Sequence, residues 1–67
     1  MFVFYPTKIQ VIVHLKNNKS IRGFIWKHNS QYLELKQAEL LQSTDSTIPM
    51  DGEILIYRPD VDFIQIL

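Results

Sequence analysis

Apolar and polar residues alternate along most of this chain with a period of two, the repeat of a β-strand that buries one face. In 9–16, Ile9, Val11, Val13 and Leu15 share one face, while Gln10, His14 and Lys16 take the other and Ile12 is the exception. Asn17-Asn18-Lys19 interrupts the pattern, and asparagine tolerates the left-handed backbone that tight hairpins need, so a β-hairpin is predicted here. From Ser20 to Lys27, Ile21, Gly23 and Ile25 lie on one face and Arg22, Phe24 and Trp26 on the other. A glycine weakens the middle of a strand, so Gly23 predicts a bend or a close backbone approach. The aromatic pair predicts that the second face is covered too, by curling of the sheet, by the segment Phe2-Val3-Phe4-Tyr5 or by another chain.

The polar run 27–31 reads as a turn, after which alternation resumes over 32–38 with Leu33 and Leu35 inward and Glu34 and Lys36 outward. Residues 37–42 are good helix formers with room for one helical turn, 43–47 reads as a loop tip, and about 39–53 is expected to be a variable loop between the third and fourth strands. Asp51-Gly52 signals a turn. The segments 54–57 and, nearly, 61–67 are apolar on both faces, the pattern of strands buried on both sides, with Arg58-Pro59-Asp60 as a short corner between them. An exposed apolar edge aggregates unless it is paired. In so small a chain these two strands are predicted to pair across a subunit boundary, through Ile54, Leu55, Ile56, Tyr57, Phe63, Ile64 and Ile66. The expected architecture is a single all-β domain over 1–67, with 1–7 as an N-terminal extension.

Size supports the subunit boundary. A domain of 67 residues buries a modest core and usually needs a disulfide, a metal or a partner subunit. The chain has no cysteine and only two histidines, His14 and His28, so thiolate sites are excluded and no metal or cofactor is expected. Self-association is the remaining supplement. The apolar opening 1–5 stops at Pro6, too short for a signal peptide or a membrane span, so an intracellular, cytoplasmic protein without a membrane partner is expected.

Net charge is zero, but it is unevenly distributed. Six of the seven basic residues fall in 1–36, against Glu34, and six of the seven acidic residues fall in 37–67, against Arg58. Either the protomer is dipolar, with a basic side for a neighbour or a nucleic acid, or the halves interleave in one sheet and the charges mix. Catalysis has little to build on, and no enzyme is expected. Ser20, Ser30, Ser43 and Ser46 fall in turns and loops without an evident base, and the pairs Asp51/Glu53 and Asp60/Asp62 read as solvated faces. Two glycines, Gly23 and Gly52, make no phosphate-binding loop.

Five strands, with a hairpin after the first, a bending glycine in the second, a longer loop after the third and a tight corner before the last, resemble the Sm-like fold, a strongly bent five-stranded antiparallel barrel of SH3-like architecture. Val11-x-Val13-x-Leu15-x-Asn17-Asn18-x-x-Ile21-x-Gly23-x-Ile25 resembles the first Sm motif, which 32–35 and Ala38-Glu39 extend, and 56–64 resembles the second. The resemblance covers about residues 8–67. It implies a closed ring of identical protomers in which the fourth strand of one pairs with the fifth of the next. It also implies an RNA site built from His28, Asn29 and Tyr32 of one turn and Arg58 of another, with Tyr32 stacking on a base, Asn29 reading a base edge and Arg58 holding phosphate. The alternative roles are a barrel-capping Tyr32, a turn made by His28 and Asn29, and an Arg58 paired with Asp60 or Asp62.

The chain departs from the family pattern in ways that bear on RNA. The aspartate expected after the second strand is absent, Tyr32 falls near an expected asparagine, and Arg58 precedes Pro59 rather than glycine. A structural or protein-binding ring without RNA is therefore the alternative function. Compact chains of this kind look similar to Sm-like proteins of phages or bacteria. A monomeric SH3-like or OB-like barrel is a third reading.

Overall fold

The computed structural model describes the backbone of residues 3–43 and 45–67 and the side chains of 9–43 and 45–67. Six strands follow one another: β1 (Val3–Leu15), β2 (Ser20–His28), β3 (Tyr32–Ser43), β4 (Ser46–Pro49), β5 (Glu53–Tyr57) and β6 (Val61–Ile66). One turn of 3₁₀-helix, Arg58–Asp60, separates β5 from β6. All strand pairs are antiparallel, in the order β4-β3-β2-β1-β6, with β5 also paired to β3.

The two-residue periodicity sorts residues as the sequence predicts. Val11, Val13, Ile21, Leu33, Leu35, Ala38 and Ile56 form the buried core, and Ile9, Leu15, Ile25, Leu40, Met50, Ile54 and Val61 pack around it. The first hairpin turns where the asparagines stand. Asn18 takes a positive φ of 70°, its amide donates to the Leu15 carbonyl at 3.0 Å, and the Asn17 side chain accepts from the Lys19 amide at 3.0 Å.

Gly23 marks the corner of the sheet. On β3, Gln37 and Ala38 together face Gly23, because the register steps from Arg22↔Glu39 to Phe24↔Lys36. Gln37 adopts a positive φ of 53°, the conformation of a β-bulge. A Cβ on Gly23 would lie 3.1 Å from the Lys36 carbonyl oxygen and 3.3 Å from the Ala38 Cα, so close backbone approach is what the glycine permits. At this bulge β3 also changes partner: its first half, Tyr32 to Lys36, pairs with β5, and its second half, Glu39 to Ser43, pairs with β4.

The structure corrects three expectations. First, residues 37–42 form no helical turn, and 39–53 is not a long loop. Strand β3 runs through to Ser43 and β4 returns beside it, giving six strands rather than five. Helix propensity is outweighed because Ala38 is buried in the core, Leu40 pairs with Ile21, and Arg22 donates to Glu39 at 2.8 Å. Second, the N-terminal extension belongs to β1: Val3 and Phe4 pair with His28 and Lys27, after a register irregularity that contains Pro6, a residue without an amide to donate. Third, among the described residues the sheet does not close into a barrel, because there β5 pairs only with β3, β6 only with β1, and neither with the other. The charge halves interleave: Arg22–Glu39 at 2.8 Å and Lys36–Glu53 at 3.8 Å each join the basic to the acidic half.

Candidate functional site

The seam where the sheet fails to close is built by the turn Arg58–Asp60. The Arg58 amide donates to the Gln31 carbonyl at 2.8 Å, and the Lys16 amide donates to the Asp60 carbonyl at 2.9 Å. Three residues therefore stretch from the β2–β3 turn to the end of β1. Pro59 sets its own φ and has no donor to compete for either bond. The chain leaves β5 on one side of the sheet and enters β6 on the other, and among the described residues the second edge of each strand meets no partner.

These two edges are apolar. Of the seven residues expected at an oligomer interface, Ile54 and Ile56 turn inward, with Ile56 in the core and Ile54 packed against it. The other five remain accessible: Leu55 at 54%, Tyr57 at 48%, Phe63 at 55%, Ile64 at 37% and Ile66 at 73%. Leu55 and Tyr57 lie on the outer face of β5, and Phe63 lies on the outer face of β6 opposite His14. Ile64 and Ile66 face inward beside Val13 and Val11 at the open side of the core. A recess of about 210 Å³ lined by Leu33, Arg58, Val61 and Ile64 lies in this gap.

His28, Asn29, Tyr32 and Arg58, the residues proposed from the resemblance for RNA, come together at one end of the seam. The Arg58 guanidinium donates to the Asn29 carbonyl at 3.1 Å and lies 3.4 Å from His28 Nδ1. It makes no ion pair with Asp60 or Asp62 among the described residues. Asn29 is a turn-former: its side-chain oxygen accepts from the Gln31 and Tyr32 amides at 2.8 and 2.6 Å. The Tyr32 ring tilts against Tyr57 with centroids 5.6 Å apart. Of the four, Arg58 is the exposed one, and His28, Asn29 and Tyr32 are half-buried.

Two features were not legible in the alternation. One is a cross-link on the outer face of β6. His14 bonds Ser20 Oγ through Nδ1 at 2.9 Å, approaches Gln65 Oε1 through Nε2 at 3.3 Å and stacks on Phe63 with centroids 4.3 Å apart. Ser20, expected in a turn or loop without an evident base, thus begins β2 with His14 beside it, and the contact ties β1, β2 and β6 together. The other is Glu34, which faces outward yet is only 7% exposed. Lys27 approaches it to 3.3 Å. Burial, followed by the Glu53 hydrogen bond, pushes its pKa above the ordinary carboxylate value against the pull of Lys27. Neither feature shows in the pattern, because each depends on which strands become neighbours.

No helix among the described residues is long and apolar enough to cross a membrane. Comparison with protein-family models, with curated proteins and with solved structures finds no match to this chain.

Proposed function

We propose that this chain is a non-enzymatic, Sm-like module that assembles with copies of itself into a ring, β5 of one copy pairing antiparallel with β6 of the next. The observation that carries the reading is the pair of unpartnered edges, five and six residues long, both lined with accessible apolar side chains. Pairing them supplies the missing ladder hydrogen bonds and buries Leu55, Tyr57 and Phe63, each worth about 1 kcal/mol for the half still exposed. The two edges differ from each other, so the contact is heterologous. Repeated, it closes into a ring or continues as a filament.

Complementation tests this directly. Leu55→Asp spoils only the β5 edge and Phe63→Asp only the β6 edge. Each variant alone is expected to be monomeric by native mass spectrometry, and an equimolar mixture is expected to give dimers and nothing larger, since one intact edge of each kind remains. A mixture that stays monomeric while the parent assembles would sink the β5–β6 pairing.

A second role, single-stranded RNA binding on the ring, is favoured by the exposed Arg58, which no carboxylate neutralises among the described residues. Arrayed around a ring, weak sites of this kind gain from avidity. Arg58→Ala is expected to leave assembly intact, to weaken binding of a short oligoribonucleotide and to reduce its salt dependence. Equal affinity and equal salt slope in parent and variant would leave the purely structural ring.

A further inference from the structure

Two short rows of rings cross the outer face of the sheet and end at the two edges of the seam. In one, Tyr32 of β3 pairs with Tyr57 of β5, ring centroids 5.6 Å apart. In the other, His14 of β1 pairs with Phe63 of β6, ring centroids 4.3 Å apart. Tyr57 and Phe63 are the members at the edges, and both are accessible.

Neighbouring strands of one sheet set residues of the same face opposite each other. On β5, Ile54 and Ile56 face inward, and Leu55 and Tyr57 outward. On β6, Ile64 and Ile66 face inward with Val13 and Val11, and Phe63 faces outward with His14. An antiparallel ladder between β5 of one copy and β6 of the next keeps these faces only in registers two residues apart. Three such registers place Phe63 opposite Leu55, Tyr57 or Pro59, and they differ in what the ladder covers.

With Phe63 opposite Leu55, the core residue Ile56 lands on Asp62, the residue left over where β6 slips against β1. With Phe63 opposite Pro59, the ladder runs into the 3₁₀ turn, where the proline has no amide to donate. With Phe63 opposite Tyr57, the ladder sets Ile54, Leu55 and Ile56 opposite Ile66, Gln65 and Ile64. No charged residue lies within 54–57 or within 63–66, so this overlap loses its water without stranding a charge.

We propose that neighbouring copies pair in this last register, so that the two rows join as Tyr32, Tyr57, Phe63 and His14 across the subunit boundary. The proposal rests on the β5–β6 reading above and adds the register in which the partner copy is recognised. Contact between the Tyr57 and Phe63 rings strengthens the interface beyond the area it buries.

The chain has no cysteine, so introduced thiols report the register. Directly opposite residues of an antiparallel pair have Cβ atoms about 4.5–5.5 Å apart, near the span of a disulfide, and diagonal ones about 7–8 Å apart. Singly substituted chains are mixed in equal amounts, oxidised and weighed by mass spectrometry without reductant. Tyr57→Cys with Phe63→Cys is expected to give a mixed disulfide dimer as the dominant product. Leu55→Cys with Phe63→Cys and Tyr57→Cys with Gln65→Cys, which report the other two registers, are expected to give little. All four positions are exposed, so the fold tolerates the substitutions. As a second measurement, Tyr57→Ala and Phe63→Ala are expected to be coupled in the association constant by about twofold to tenfold. A parent that assembles while another mixture cross-links as well or better, or while none does, overturns the register alone, as do additive losses in the alanine cycle. A parent that stays monomeric, or disulfides that join mainly like to like, overturn the β5–β6 reading and the register with it.

Discussion

The sheet has edges of two kinds. β4 is four residues long, exposed throughout, and reads Ser46-Thr47-Ile48-Pro49. Its one large apolar residue is Ile48, and Pro49 cannot donate to an added strand. β5 and β6 are longer, contain no proline, and leave Leu55, Tyr57, Phe63 and Ile66 accessible. Short, polar, proline-ended strands are how proteins blunt an edge against unwanted pairing. The same chain thus blunts one boundary of its sheet and leaves two others apolar, and the proposed interface rests on that contrast.

The sharpest way to break the contrast is to place the same charge on both kinds of edge. Leu55→Asp is expected to lower the association constant by at least about a hundredfold, because an unpaired charge on a strand seam costs several kcal/mol. Ile48→Asp is expected to leave assembly unchanged. Native mass spectrometry reads both variants, and equal losses would mean that the two edges do not differ in function.

The division of β3 between its two partners depends on the corner at Gly23. Gly23→Ala drives a methyl group against the Lys36 carbonyl and the Ala38 backbone, and is expected to destabilise the fold by about 1–3 kcal/mol in denaturant unfolding. A smaller effect concerns pH. Burial holds the Glu34 pKa above its ordinary value, so the folded state binds that proton more tightly than the unfolded chain does. Glu34 therefore favours folding most below the ordinary carboxylate value and loses this contribution as pH rises through the raised one. Unfolding of monomeric Phe63→Asp, a position away from Glu34, with and without Glu34→Gln, isolates this contribution from assembly. The doubly substituted chain should show a flatter stability profile between about pH 5 and pH 7. Glu39 acts in the opposite sense: its hydrogen bond from Arg22 lowers its pKa, so its contribution is lost as pH falls through that lowered value. Smallest of all, Gln37→Gly is expected to stabilise the fold by about 0.5 kcal/mol, the relief of a positive φ less the added freedom of the unfolded chain. Thermal unfolding of that variant measures it.

Much of the fold was legible because the strand period is short and local. The inward sets Val11/Val13, Ile21/Ile25 and Leu33/Leu35, the Asn17-Asn18 turn and the role of Gly23 all follow from alternation and backbone preference. The hairpin of β3 and β4 did not, since residues 37–42 are helix formers by composition, too few to be a stable helix alone, and they become strand beside Ile21 and Arg22. Of the candidate RNA residues, the sequence placed Asn29 and Arg58 in turns, and the structure added that the Asn29 side-chain oxygen is spent on its own turn while Arg58 stays exposed.

By itself, then, the sequence determined that this is a small all-β chain without disulfides, which faces cover a core, and that two C-terminal segments are too apolar to be left alone. Those are properties of composition and of the period of two, and they need no knowledge of neighbours. Only the tertiary structure decided that β5 and β6 part at Arg58–Asp60 instead of pairing, that β3 serves two partners across one bulge, and that an outward-facing Glu34 is buried beside Lys27. Each of these depends on contacts between residues far apart in the chain, which alternation within one segment does not specify.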